Sequence, residues 1–123
     1  MFATDMKILL VTAPPRAARG IAAALLEKRL AACVTRVGPV VSRYWWKGRI
    51  EEGREVILLI KTRDGLAGKA RACVRANHPY EVPEILVLGV EGGESAYLRW
   101  VAESTVRQPA AERRNRRGGS ARR

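Results

Sequence analysis

The chain has one histidine, His78, in the stretch His78-Pro79-Tyr80-Glu81-Val82-Pro83-Glu84, which also supplies a phenol and two carboxylates. Pro79 and Pro83 fix their own φ and bias His78 and Val82 away from helix, so the stretch reads as a stiff, extended connection. It runs directly into the apolar segment Ile85-Leu86-Val87-Leu88-Gly89-Val90, which has the composition of a buried strand. Loops held by a rigid scaffold are where binding groups concentrate. Here an imidazole and oxygen donors could hold a metal ion. With Lys61, which ends the apolar run Val56-Ile57-Leu58-Leu59-Ile60, the same cleft could hold a small anion. The competing reading is structural: the prolines stop a helix and aim a strand, and the lysine reaches water from a strand end.

Other chemistries lack their patterns. Nucleophilic catalysis needs an activated hydroxyl or thiol, and there is neither a G-x-S-x-G elbow nor an evident carboxylate to orient the one histidine. Neither G-x-G-x-x-G nor G-x-x-x-x-G-K occurs, so nucleotide fingerprints are missing. Cys33 and Cys73 sit in apolar surroundings without a C-x-x-C spacing and read as small buried hydrophobes. The expectation is a binding protein and not an enzyme.

The elements that must position these groups follow from hydrophobic period. Lys7-Ile8-Leu9-Leu10-Val11 predicts a central strand buried on both sides, ended by Pro14-Pro15. A helix then carries Ala18, Ala22, Leu25, Leu26 and Leu30 at three- and four-residue spacing. From Cys33 to Ile60 the pattern is a long β-hairpin turning at Lys47-Gly48, with Gly38-Pro39 marking a bulge or bend in its first arm. A second helix opens at Arg63-Asp64-Gly65 with Leu66, Ala70, Cys73 and Val74 on its apolar face. Ile85 to Val90 is a fourth strand, and Ser95 is the expected N-cap of a last helix. The order is β-α-β-β-α-β plus a C-terminal helix, an α+β, ferredoxin-like arrangement.

Alternation in the hairpin puts Ser42, Tyr44 and Trp46 on one face and Arg43, Trp45 and Lys47 on the other, so both faces carry large rings. One four-stranded sheet with helices on a single face cannot cover both, and the hairpin tip is expected to pack on another copy. The alternative is stacking of single-stranded nucleic acid among Arg43, Lys47 and Arg49, but the RNP-type aromatic pattern is missing.

Of the net charge of +11, the segment from Arg107 onward holds +6, seven arginines against Glu112, leaving +5 for residues 1–106. Residues 1–106 are read as one domain and 107–123 as a disordered, arginine-rich tail, since the tail lacks the large apolar side chains that would offset its ordering. Nucleic acid, if bound at all, would be met by this tail. No apolar run approaches the roughly 20 residues of a bilayer span. No signal-peptide pattern follows Asp5, so no membrane association and a cytoplasmic location are expected.

Several of these segments, in this order, resemble one family: Leu10-Val11-Thr12-Ala13-Pro14, Leu25 through Val34, Ser42-Arg43-Tyr44-Trp45-Trp46-Lys47-Gly48, Ile60-Lys61-Thr62, His78 through Ile85, and Tyr97-Leu98-Arg99-Trp100. Over about residues 6 to 105 the chain is similar to the CutA divalent-cation tolerance proteins. The resemblance implies a tight, cytoplasmic homotrimer like the PII signalling proteins, linked to tolerance of copper and other divalent ions, with no established catalysis. It makes Trp46, Lys61, Tyr80 and Glu84 the expected ligand-binding residues of a cleft between subunits, open to a small anionic ligand, and His78 the expected metal ligand. Copper-binding members are associated with a cysteine where this chain has Val11 and a histidine pair where it has Asn77-His78. Valine has no donor and asparagine is a poor copper ligand, so copper or another divalent cation is expected to bind only weakly.

Overall fold

In the computed structural model, which describes residues 4–106, the chain runs β1 (Met6–Ala13), α1 (Pro15–Glu27), β2 (Cys33–Trp46), β3 (Arg49–Arg63), α2 (Asp64–Ala76), β4 (Ile85–Gly89) and α3 (Ser95–Ser104). This is the expected ferredoxin-like α+β order with its extra helix. The tail expected to be disordered lies outside the described residues. Among the described residues no helix is long and apolar enough to cross a membrane.

The four strands form one antiparallel sheet in the order β2-β3-β1-β4. Side chains alternate across it, and one face meets α1 and α2. There Leu9, Val11 and Ala13 of β1 and Val56, Leu58 and Ile60 of β3 are buried with Ala18, Ile21 and Leu25 of α1 and Ala67, Ala70, Cys73 and Val74 of α2. Ile21 takes the place expected of Ala22, and Leu26 is exposed, because the buried stripe steps by three from Ala18 before it steps by four to Leu25. Ala67, and not the half-buried Leu66, completes the face of α2. The loop after α1 is tied to β3 by the buried Thr62, whose hydroxyl donates to the Leu30 carbonyl at 2.7 Å, and by the Ala32 amide on the Lys61 carbonyl at 2.8 Å.

The opposite face is only partly covered. Ile8 and Leu10 of β1 stand opposite Lys61 and Leu59 of β3 on one side and Leu88 and Leu86 of β4 on the other. Directly opposed residues share a face, so these side chains form one apolar surface on which Leu86 and Leu88 remain exposed. β1 is therefore central, but apart from Met6 its fully buried side chains are all on its helix side, and β4 is an edge strand, not the buried strand its composition suggests. α3 docks at the Met6–Arg63 end of the sheet. There Arg63 Nε donates to Thr105 Oγ1 at 3.0 Å and Arg29 donates to the Ser104 carbonyl at 2.9 Å. Its N-cap is Glu94, one residue before the expected Ser95, and makes no side-chain cap.

β2 and β3 turn through Lys47 and Gly48, both with positive φ (51° and 79°), the geometry of a tight two-residue hairpin turn. The irregularity expected at Gly38-Pro39 is a register shift between Val37 and Val40. Gly38 has φ +132°, and a Cβ there would lie 3.0 Å from the Val40 nitrogen and 3.1 Å from the Glu55 carbonyl oxygen, so only glycine fits. Beyond this bulge the hairpin leaves the sheet: β1 pairs with β3 only from Val56 to Arg63, so Val40–Trp46 and Arg49–Glu55 pair with each other alone. A two-stranded ribbon is marginal in water by itself.

Candidate functional site

The Pro-rich connection after α2 folds back over the Ala13 end of β1. His78 Nε2 lies 2.8 Å from the Thr12 carbonyl, and His78 Nδ1 is 3.2 Å from the Tyr80 amide. A carbonyl can only accept and an amide N–H can only donate, so Nε2 carries the ring proton and Nδ1 accepts. The His78 and Tyr80 rings are tilted together with centroids 4.7 Å apart. Tyr80 extends beyond the histidine, and its hydroxyl donates to Glu55 Oε2 at 3.0 Å. Beside it Thr12 Oγ1 donates to Glu84 Oε1 at 2.9 Å. The site is thus two carboxylates, each held by a neutral hydroxyl, around one imidazole.

Burial, and then the hydrogen bond to Glu55 and its negative charge, push the Tyr80 hydroxyl up from 10.0 to about 12, against a smaller opposing pull from Arg16. The phenol is therefore a neutral donor throughout the physiological range. Below the unfolded value of 10.0 both states are protonated. Between there and about 12 only the unfolded chain ionises, so stability falls across that window. Alkaline melting curves of wild type should drop more steeply over this range than those of Tyr80→Phe, whereas parallel curves would mean that the Tyr80–Glu55 bond contributes nothing.

Of the expected ligand residues, Tyr80 and Glu84 are brought together with His78. Lys61 is not: it stands four positions along β3 from Ile57, the partner of Thr12, or roughly 13 Å at strand rise. There Lys61 Nζ donates to Thr35 Oγ1 and lies 3.9 Å from Cys33 Sγ. Trp46 is farther still, at the hairpin turn, with Lys47 Nζ 5.9 Å from its ring centroid. Cys73 is buried as expected, but Cys33 is only half-buried on the partly covered sheet face, and neither is in a disulfide. Thr12 and the buried Glu55 were not foreseen as site residues. Glu55 looked like the polar boundary of an apolar run, although alternation from Lys61 through Leu59 and Ile57 places it on the same side of β3.

The residues present do not make a tight resident metal site. Both nitrogens of His78 already hold hydrogen bonds, so an ion would have to displace one. Val11 is in the helix-side core, and the Asn77 amide donates to the Cys73 carbonyl at 2.8 Å at the end of α2. Among the described residues no group of three or more His, Cys, Asp or Glu side chains is placed to share a cation.

The family model for the CutA1 divalent ion tolerance protein matches residues 7–104. Protein CutA of Mus musculus is 48% identical over 96 residues, covering 77% of this chain and 54% of that protein. The divalent-cation tolerance protein CutA of Thermus thermophilus is 44% identical over 100 residues, covering 80% of this chain and 97% of that protein. The chain thus spans about half the length of the mammalian relative (54%) but nearly all of the bacterial one (97%). The crystal structure of CutA from Xylella fastidiosa superposes with a TM-score of 0.82 at 36% identity, covering 84% of this chain and 100% of that one. Sequence, strand order and superposition agree, and the chain belongs to the CutA1 divalent ion tolerance family.

Proposed function

We propose that this protein is a homotrimer that contributes to divalent-cation tolerance by responding to a metal ion or a small ligand, without catalysis. The observation that carries the reading is the pairing of a partly covered apolar sheet face with a projecting hairpin ribbon whose tip exposes Tyr44, Trp45 and Trp46. Both surfaces need cover that one copy does not supply. In a closed trimer the faces would meet at the centre and each ribbon would cross onto a neighbour. Lys61 and Trp46, which stand apart within the protomer, would then join the Tyr80 and Glu84 of other copies in clefts between subunits. Cys33 and Cys73 form no disulfide, which suits a reducing cytoplasm, where we place the protein.

A small organic anion is the second reading of the cleft. It is favoured by Lys61, whose ammonium is partnered by a neutral hydroxyl and a thiol. Native mass spectrometry of protein purified without chelator tests both readings. An ion adduct supports the first and a metabolite adduct the second.

For the cation itself, His78 supplies one imidazole per copy and its neighbours only hard oxygens. Calorimetric titration with Cu(II) or Zn(II) should show weak binding that a mild chelator removes and that His78→Ala abolishes. Tight binding that survives His78→Ala would place the site elsewhere.

A further inference from the structure

The sheet divides the two cysteines. Cys73 is in the core between sheet and helices, whereas Cys33 stands directly opposite Lys61 across β2 and β3, on the partly covered face. Ile8, the β1 partner of Lys61, shares that face. A disulfide between Cys33 and Cys73 would have to pass through the sheet, so the second cysteine is in no position to resolve an oxidised Cys33.

The group within reach is the amine of Lys61. Its Nζ lies 3.9 Å from Cys33 Sγ and donates to Thr35 Oγ1, which is itself 3.7 Å from the same sulfur. Among the described residues no carboxylate forms an ion pair with Lys61. Both Cys33 and Lys61 are half-buried, so a small oxidant can reach the sulfur from solvent. Partly exposed cysteines in electropositive surroundings are the ones that oxidise selectively. Cys73 is the contrasting case: it is buried, and the group 3.9 Å from its sulfur is the neutral amide of Asn77.

We propose that Cys33 and Lys61 form a redox modification site, at which a peroxide joins the cysteine sulfur to the lysine nitrogen as a reversible sulfenamide. In the first step the Cys33 thiolate attacks one oxygen of hydrogen peroxide and the O–O bond breaks. The sulfur is oxidised to a sulfenic acid and the peroxide is reduced. The departing hydroxide takes a proton from the Lys61 ammonium and leaves as water, so a neutral amine now stands beside the new electrophile. In the second step the amine lone pair attacks the sulfur. The S–N bond forms as the S–O bond breaks, and the hydroxyl leaves with an N–H proton as a second water. One thiol, one amine and one peroxide thus give one S–N bond and two waters. Sulfenic acids condense with nearby nitrogen in this way, and the flexible four-carbon stem of lysine closes the remaining gap by rotation.

The bridge ties the start of β2 to β3 and consumes the ammonium of Lys61. An anion held by Lys61 would lose its counter-charge on oxidation. That consequence rests on the anion reading of the cleft, whereas the bridge itself needs neither a ligand nor assembly.

The test treats the full chain with hydrogen peroxide, alkylates the remaining thiols without reductant, and maps tryptic peptides by mass spectrometry. Trypsin does not cut after a bridged Lys61, so residues 30–36 should appear joined to residues 55–63. The joined mass should be that of the two separate peptides less two hydrogens. Excess thiol reductant should abolish this species and restore both the Cys33 thiol and cleavage after Lys61. Lys61→Arg keeps a positive charge beside the sulfur but has no amine lone pair, since arginine stays protonated. In that variant Cys33 should still oxidise, pass to the sulfinic acid and form no joined peptide. Cys33→Ser should give neither product, with Cys73 alkylated to the same extent as in wild type after unfolding. Cys33 recovered from the oxidised wild type as a sulfinic acid, with normal cleavage after Lys61, would overturn the proposal. So would a disulfide between Cys33 residues of two copies, or a Cys33 alkylated as fully as in untreated protein.

Discussion

A Leu86→Asp/Leu88→Asp variant is expected to be a folded monomer. In the isolated protomer these leucines are 48% and 43% exposed, so each new carboxylate keeps its water and the helix-side core is untouched. Their partners across β1 are Leu10 and Ile8, which places them on the apolar face assigned to the trimer centre. Assembly would have to desolvate two unpaired charges per copy, and a buried charge without a partner costs several kcal/mol. A penalty of about 4 kcal/mol corresponds to roughly a thousandfold loss in association. Light scattering should report the mass of one chain while circular dichroism and cooperative melting stay close to wild type. A variant that still assembles would show that this face is not the interface. One that unfolds would show that the face is indispensable to the protomer itself.

Trp45→Ala should weaken assembly by about 2 kcal/mol or more, roughly 30-fold in dissociation constant, and leave the protomer fold unaffected. Trp45 is 72% exposed on a ribbon that makes no sheet contact beyond its own hairpin, so within one copy its ring stabilises very little. Buried against a neighbour, the same ring would be the largest single apolar contribution from the tip. Trp46 is more sheltered and has Lys47 over its ring, so its truncation should be less specific for assembly. Dilution experiments on the two single variants separate these roles. Equal, negligible effects would contradict a crossing hairpin.

The fold was legible wherever apolar period and chain breakers agreed. Pro14-Pro15, Lys47-Gly48 and His78-Pro79 each end an element where backbone constraint requires it, and Gly38-Pro39 marks the bulge because few other residues tolerate that geometry. What period alone does not encode is which object covers an apolar residue. Leu86 and Leu88 have the composition of a buried strand, yet β4 is an edge, since a strand covered by another copy and one covered by its own helices look alike in sequence. The same ambiguity scattered the expected ligand residues. Tyr80 and Glu84 lie in one stiff segment and were brought together with His78, whereas Lys61 and Trp46 depend on strand register and hairpin length for their positions. Glu55 escaped notice because an acid that borders an apolar run usually reaches water. Its burial follows from Tyr80 arriving from a segment 25 residues away.

Assembly is the claim on which the sheet face, the hairpin tip and the shared cleft all depend. Sedimentation equilibrium of the full chain at micromolar concentration tests it most directly. The account predicts a single species at three times the 13.6 kDa mass of one chain, unchanged on dilution. A stable species at the mass of one chain under the same conditions would contradict it.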